Sequence, residues 1–153
     1  MTAVEARLAE LGLKLPAVAK PVAAYIPAVV TGNLVYTAGQ LPFVDGVLAA
    51  TGKFGAGVAA EDGAALARIC ALNALAAAES AIGSLDRVTR VVKVVAFVAS
   101  TPDFTGQPGV ANGASELLGQ VFGEAGQHAR SAVGVPVLPL NAPVEVELIL
   151  EFA

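Results

Sequence analysis

The stretch His128–Ala153, HARSAVGVPVLPLNAPVEVELILEFA, leaves its backbone few options. Both ends alternate with period two. Ser131, Val133, Val135 and Val137 alternate with Arg130, Ala132, Gly134 and Pro136, so an extended chain turns Arg130 away from the valines. In the second run Val144, Val146, Leu148, Leu150 and Phe152 share one face. Glu145, Glu147 and Glu151 share the other, with Ile149 the one apolar exception. Between them lies Leu138-Pro139-Leu140-Asn141-Ala142-Pro143, whose prolines offer no N–H to a sheet ladder and so break the strand.

The rest of the chain supplies what these strands need. Thr2–Leu11 predicts a short helix, with Thr2 and Glu5 as a capping box, Val4, Leu8 and Leu11 as its stripe and Gly12 as its stop. Leu15–Pro21 is a proline-bounded connector. Ala23–Val30 and Leu34–Leu41 read as strands joined through Thr31-Gly32-Asn33, and Asp45-Gly46 marks a further hairpin. Thr51–Gly57 (TGKFGAG) matches neither the spacing of a phosphate loop nor that of a dinucleotide fingerprint, and reads as a plain flexible turn. Glu61–Ile82 is an alanine-rich helix with Leu66, Ile69, Leu72 and Leu75 at helical spacing, stopped by Gly83. Asn73 within it suits a structural hydrogen bond. Val88–Val98 is a buried β-branched strand, and Val110–Gly123 a second helix with Leu117, Leu118, Val121 and Phe122 as its apolar side. The order predicts an α+β domain over 1–153: one sheet, two main helices packed on one face, and an extra N-terminal helix over 1–15.

Composition says what covers the other face. The chain is 56% hydrophobic and 14% charged, against about 25% charged in an ordinary soluble domain. That deficit points to apolar surface buried between subunits. The uncharged run Pro21–Val44 holds three prolines and a turn, so no membrane-spanning helix is expected there. A net charge of −4 argues against nucleic acid as a partner. A single cysteine, Cys70, excludes an internal disulfide and reads as a buried thiol. A single histidine, His128, argues against a histidine-based metal site and reads as a surface-loop residue. No secretory leader is evident, and a cytoplasmic location is expected.

Several separated motifs resemble those of the Rid (RidA/YjgF) family. They are Ala24-Tyr25; Val30-Thr31-Gly32-Asn33-Leu34-Val35-Tyr36-Thr37-Ala38-Gly39-Gln40-Leu41-Pro42; Arg130-Ser131; Leu138-Pro139; and Val144-Glu145-Val146-Glu147. The N-terminal helix and longer loops are similar to a divergent branch labelled chorismate-mutase-like or "putative endoribonuclease". The resemblance implies a chorismate-mutase-like fold and a homotrimer with ligand clefts between subunits. It implies hydrolysis of reactive enamines and 2-imino acids to 2-oxo acids and ammonia, the 2-iminobutanoate/2-iminopropanoate type of deaminase, with no cofactor and no metal. It makes Arg130 the carboxylate-binding residue and Glu145 the residue at the attacking water. Tyr25, Gly39, Ala38, Asn112 and Ala132 fall at substrate-binding positions. Two of these depart from the family pattern: Ala38 replaces a serine and Ala132 a cysteine.

The chemistry suits those residue types. A guanidinium grips a carboxylate with two parallel charge-assisted hydrogen bonds, and a carboxylate can orient water or take its proton. If the last two strands formed a simple hairpin about Leu140, Arg130 would oppose Glu151 and stand roughly 20 Å from Glu145. Either the two strands are not neighbours, or Arg130 of one subunit works with Glu145 of the next. Other readings stand beside this one. Arg130 could be an ion-pair partner of Glu145, Glu147 or Glu151, the acidic face could simply be solvated, and Tyr25 could be a core or interface aromatic. The whole could be a trimeric binding protein for a small carboxylate that does no chemistry. RNA cleavage is disfavoured by the acidic charge and the lack of paired histidines.

Overall fold

The computed structural model describes residues 1–18 and 23–153. Helix α1 spans Ala3–Glu10 and begins as its sequence dictates. The Thr2 hydroxyl accepts from the Glu5 amide at 3.1 Å, and the Glu5 carboxylate accepts from the Thr2 amide at 2.8 Å. Asp86, from a distant turn, takes the free amides of Ala3 and Val4 at 3.0 and 2.9 Å, which fastens α1 to the body. Those amides, Val4 first, hold the Asp86 carboxyl below the usual carboxylate range. Residues 19–21 of the connector expected over 15–21 lie outside the described residues.

Five strands form the main sheet, in the order β1 (Ala28–Thr31), β2 (Leu34–Thr37), β9 (Val144–Phe152), β7 (Val88–Ala99), β8 (Ala129–Val135). Helices α2 (Gly63–Ile82) and α3 (Gln107–Phe122) cover one face. A small hairpin, β3 (Phe43–Val44) with β4 (Val47–Leu48), turns at Asp45-Gly46 as expected. The predicted fold, one sheet with two main helices on one face and a short N-terminal helix, is the one observed.

Three sequence readings need correction, and one alternative left open is decided. The first strand starts at Ala28 and not Ala23, directly after Pro27, which has no N–H to pair. The second stops at Thr37: pairing with β9 lapses after Tyr36↔Ile149 and resumes at Gln40↔Val146, so β2 carries one residue more than its partner. This is a β-bulge, and the Thr37 hydroxyl fills the gap by accepting from the Leu148 amide at 3.0 Å. The glycine-rich loop is no plain turn. It holds β5 (Lys53–Phe54) and β6 (Gly57–Val58), and Phe54 is fully buried, stacked on Phe104 with centroids 5.4 Å apart. Of the two alternatives left open for the last two strands, the structure takes the first: they are not hairpin neighbours. Helix α3 carries the chain across the sheet so that β8 lies parallel to β7, and β9 then enters between β2 and β7.

Register fixes the faces. Val94 of β7 lies between Arg130 of β8 and Leu148 of β9, so these three point toward the helices. Phe97 lies between Val133 and Glu145, and Val95 between Ser131 and Glu147; these point away from the helices. The core beneath the helices holds Val35, Val91, Val94, Val98, Val146, Leu148 and Leu150 against Cys70, Leu75, Leu117 and Leu118. Alanines 67, 71, 74, 77 and 78 let α2 lie close, and at Gly113 the two helices nearly touch: a Cβ there would stand 2.5 Å from the carbonyl carbon of Ala64. Cys70 is buried, its thiol 3.6 Å from the Val144 carbonyl, and burial pushes its pKa well above the usual range. Helix α2 with the turn before it is long and apolar enough to cross a membrane, yet 56% of its apolar window is buried in this core.

Candidate functional site

The residues singled out in the sequence gather into two separate groups. The first lies on the helix-facing side of β8. Arg130 is the second residue of that strand, and α3 passes over it with Asn112 and Ser115 one turn apart on the same side. Arg130 Nη1 donates to Asn112 Oδ1 at 2.8 Å and to Ser115 Oγ at 3.2 Å. Ala132, two residues on, faces the same way and packs half-buried against the core. Among the described residues Arg130 forms no ion pair; the one ion pair found there joins Arg7 and Glu10. The reading of Arg130 as a salt-bridge partner of Glu145, Glu147 or Glu151 is therefore not met within the chain. Strand β7 lies between, and those glutamates point from the opposite face.

The second group is built on the bulge in β2. Regular pairing would run Ala38 and Gly39 straight along β9. The extra residue instead turns Gly39 onto Glu145, whose carboxylate occupies the space a side chain at 39 would need: a Cβ there would overlap Oε1 and lie 2.7 Å from Cδ. Only glycine permits that approach. Ala38 is fixed from behind, its amide donating to the Pro27 carbonyl at 2.7 Å. Tyr25 and Gly39 share the wall of a cavity of about 740 Å³ with Pro16, Leu41, Phe43 and Leu140. Asn73 of α2 supports this wall as expected, donating to the carbonyls of Leu41 and Phe43 at 3.0 Å each. Tyr25 is 55% exposed, so it is no core aromatic.

Electrostatics distinguish Glu145 from its neighbours. It is half-buried, and loss of water, with the nearby Glu147 charge second, raises its carboxyl above the usual carboxylate value. A carboxylate poised in that way takes a proton more readily than one in open solvent. The acidic face of β9 is thus not uniformly solvated.

Arg130 and Glu145 do not meet within one chain. They sit on opposite faces, two strands apart (roughly 10 Å), and three residues apart in register, roughly 10 Å more. The structure thus presents two separate groups: a cation held by two neutral acceptors on one face, and on the other a half-buried carboxylate packed on Gly39.

Two members of the first group were not singled out from the sequence. Ser115 Oγ lies 2.9 Å from His128 Nε2, and His128 Nδ1 lies 2.6 Å from the Gly126 carbonyl. His128 is half-buried and bridged at both nitrogens, so it is not a free loop residue. Its signal was its place two residues before Arg130, with Asn112 and Ser115 at a three-residue helical spacing. Among the described residues no three His, Cys, Asp or Glu side chains converge as metal ligands would.

The profile of a family described as "YjgF/chorismate_mutase-like, putative endoribonuclease" matches residues 5–152. Protein TCP17 of Trypanosoma cruzi is 49% identical over 149 residues, covering 97% of this chain and 93% of its own. A crystal structure of a protein of unknown function from Agrobacterium tumefaciens is similar at a TM-score of 0.91 and 45% identity, covering 99% of this chain and 93% of that one. A "putative endoribonuclease" from Shewanella oneidensis is similar at a TM-score of 0.95 and 35% identity, over 99% and 100% of the two chains.

Proposed function

The chain belongs to the YjgF/chorismate-mutase-like family, and from that membership we propose that it hydrolyses reactive 2-imino acids, and the enamines that tautomerise to them, in clefts between the protomers of a homotrimer. The observation that carries this is the state of Arg130. Its guanidinium is held by two neutral acceptors and meets no acidic side chain among the described residues. A half-buried cation so placed is set to receive an anion from outside the chain.

The reaction follows from the two halves. Arg130 binds the substrate carboxylate through paired N–H donors and thereby fixes the C=N carbon in space. Glu145 of a neighbouring protomer takes a proton from water as the oxygen adds to that carbon. That proton passes to nitrogen and gives a carbinolamine; its hydroxyl then yields its own proton, by way of Glu145, to the amine, and ammonia leaves as the C–N bond breaks and the C=O bond forms. One imino acid and one water give one 2-oxo acid and one ammonia. The barrier is modest for so unstable a substrate, so positioning and a single base suffice. The apolar wall around Tyr25 and Leu140 accommodates the substrate side chain.

One observation favours a second reading, a carboxylate-binding protein without turnover. Ala38 and Ala132 put methyl groups where the family pattern has polar ones, which leaves fewer groups to move protons. One assay separates the two. An amino-acid oxidase supplies imines, and release of 2-oxo acid is followed with and without the protein. Acceleration supports hydrolysis; no acceleration with any of several side chains rejects it. Glu145→Gln should lower turnover by about 100-fold or more while keeping 2-oxo acid binding, and Arg130→Ala should lose both. The family's endoribonuclease label finds little support in a chain of net charge −4 with one histidine.

A further inference from the structure

His128 and Ser115 form a chain of hydrogen bonds that ends on Arg130, and its proton directions can be assigned. A carbonyl oxygen only accepts, so the 2.6 Å contact with Gly126 requires the hydrogen to sit on His128 Nδ1. In the neutral ring Nε2 is then a bare acceptor, and the Ser115 hydroxyl, 2.9 Å away, must point its proton at it. That leaves the lone pairs of Ser115 Oγ for Arg130 Nη1 at 3.2 Å. Asn112 Oδ1 takes the other hydrogen of the same nitrogen at 2.8 Å.

Nη1 carries two hydrogens, and both are now committed. It is the terminal nitrogen on the Cδ side of the guanidinium, so the edge shared by Nε and Nη2 has no hydrogen-bond or ion-pair partner among the described residues. We propose that His128 and Ser115 are positioning residues: they lock the Arg130 guanidinium so that its Nε–Nη2 edge, and not its Nη1–Nη2 end, receives the substrate carboxylate. Without the serine acceptor, Nη1 would hold one fixed bond and the plane could swing about it. Without the imidazole, the serine proton would be free to turn toward Arg130 and the lone pair away. The Gly126 carbonyl sets the whole sequence, because it fixes the ring's tautomer. This assignment deepens the deaminase reading by naming how its carboxylate is held, and the ordering of Arg130 that it requires exists without any ligand.

The test has two readouts. The first is the ¹⁵N order parameter of the Arg130 Nε–H group in the ligand-free protein. In wild type it should be that of a fixed side chain, and in Ser115→Ala and His128→Phe it should fall below about 0.6. The second is the dissociation constant for pyruvate, which should rise about tenfold in both variants. His128→Gln, whose amide oxygen can accept from Ser115, should restore it to within about twofold of wild type. In imine turnover the same variants should raise KM more than they lower kcat. Equal order parameters in wild type and both variants would overturn the inference, as would tenfold weaker pyruvate binding in His128→Gln as well as His128→Phe. Ser115→Ala, a small-to-smaller change on a helix, guards against misfolding in the histidine variants. Should wild type fail to bind pyruvate, the deaminase reading falls, while the ligand-free order parameters still decide the lock.

Discussion

Glu145 takes up a proton more readily than a carboxylate in water, for two separable reasons: burial first, the charge of Glu147 second. As a base it works ionised, so hydrolysis should fail as pH drops through its pKa, and at a higher pH than an ordinary carboxylate would allow. Glu147→Gln removes the second cause and should move the acid limb of kcat/KM to lower pH. An unmoved limb would assign that titration to another group. The same shift bears on stability. Folding raises this pKa, so the folded chain binds the proton more tightly than the unfolded one. The associated stabilisation is present below the unfolded pKa and is lost as pH rises through the folded value. At this scale the sequence was informative about identity and silent about company. Arg130 and Glu145 could be named from their motifs, and Asn112 was placed with Arg130. That Ser115 and His128 complete the arginine's setting depends on how α3 passes over β8, which no local pattern encodes.

Among the elements, the best-read ones carry their instructions locally. Thr2 and Glu5 announce α1, Gly83 stops α2 with a backbone φ of 88°, and the alternation of Val144–Phe152 marks β9. The misread ones depend on distant contacts. The bulge that turns Gly39 onto Glu145 exists because β2 pairs twice with β9, more than a hundred residues away in sequence. For the last two strands the sequence left a hairpin as one of two alternatives, because they are adjacent in the chain. The strand–helix–strand order of β7, α3 and β8 was the better guide, since a parallel pair needs such a crossover. The close passage of α2 and α3 offers a test. Gly113→Ala drives a methyl into the Ala64 backbone, which cannot retreat as a flexible side chain could. The cost should be about 2 kcal/mol, read as a lower urea midpoint at unchanged slope. An unchanged midpoint would mean that the helices can slide apart freely.

The molecule as a whole is half-covered. Helices seal one face of the sheet, while the other shows Val29, Tyr36 and Val133 at 50%, 41% and 44% exposure, with Val95, Phe97 and Ile149 half-buried among them. That surface accounts for the low charge content and suits burial against further copies of the chain. Arg130 with its hydrogen-bonded supports belongs to one side of the sheet, and Glu145 with Gly39 and Tyr25 to the other, so the proposed reaction requires neighbouring copies to join them. Mixing decides the matter most directly. Arg130→Ala and Glu145→Gln proteins, each inactive alone, are unfolded together in equal amounts, refolded, and assayed for imine hydrolysis. Random assembly should give about a quarter of the wild-type activity, because one cleft in four then pairs an intact arginine with an intact glutamate from its neighbour. Mixed oligomers that stay as inactive as either parent would contradict a shared site.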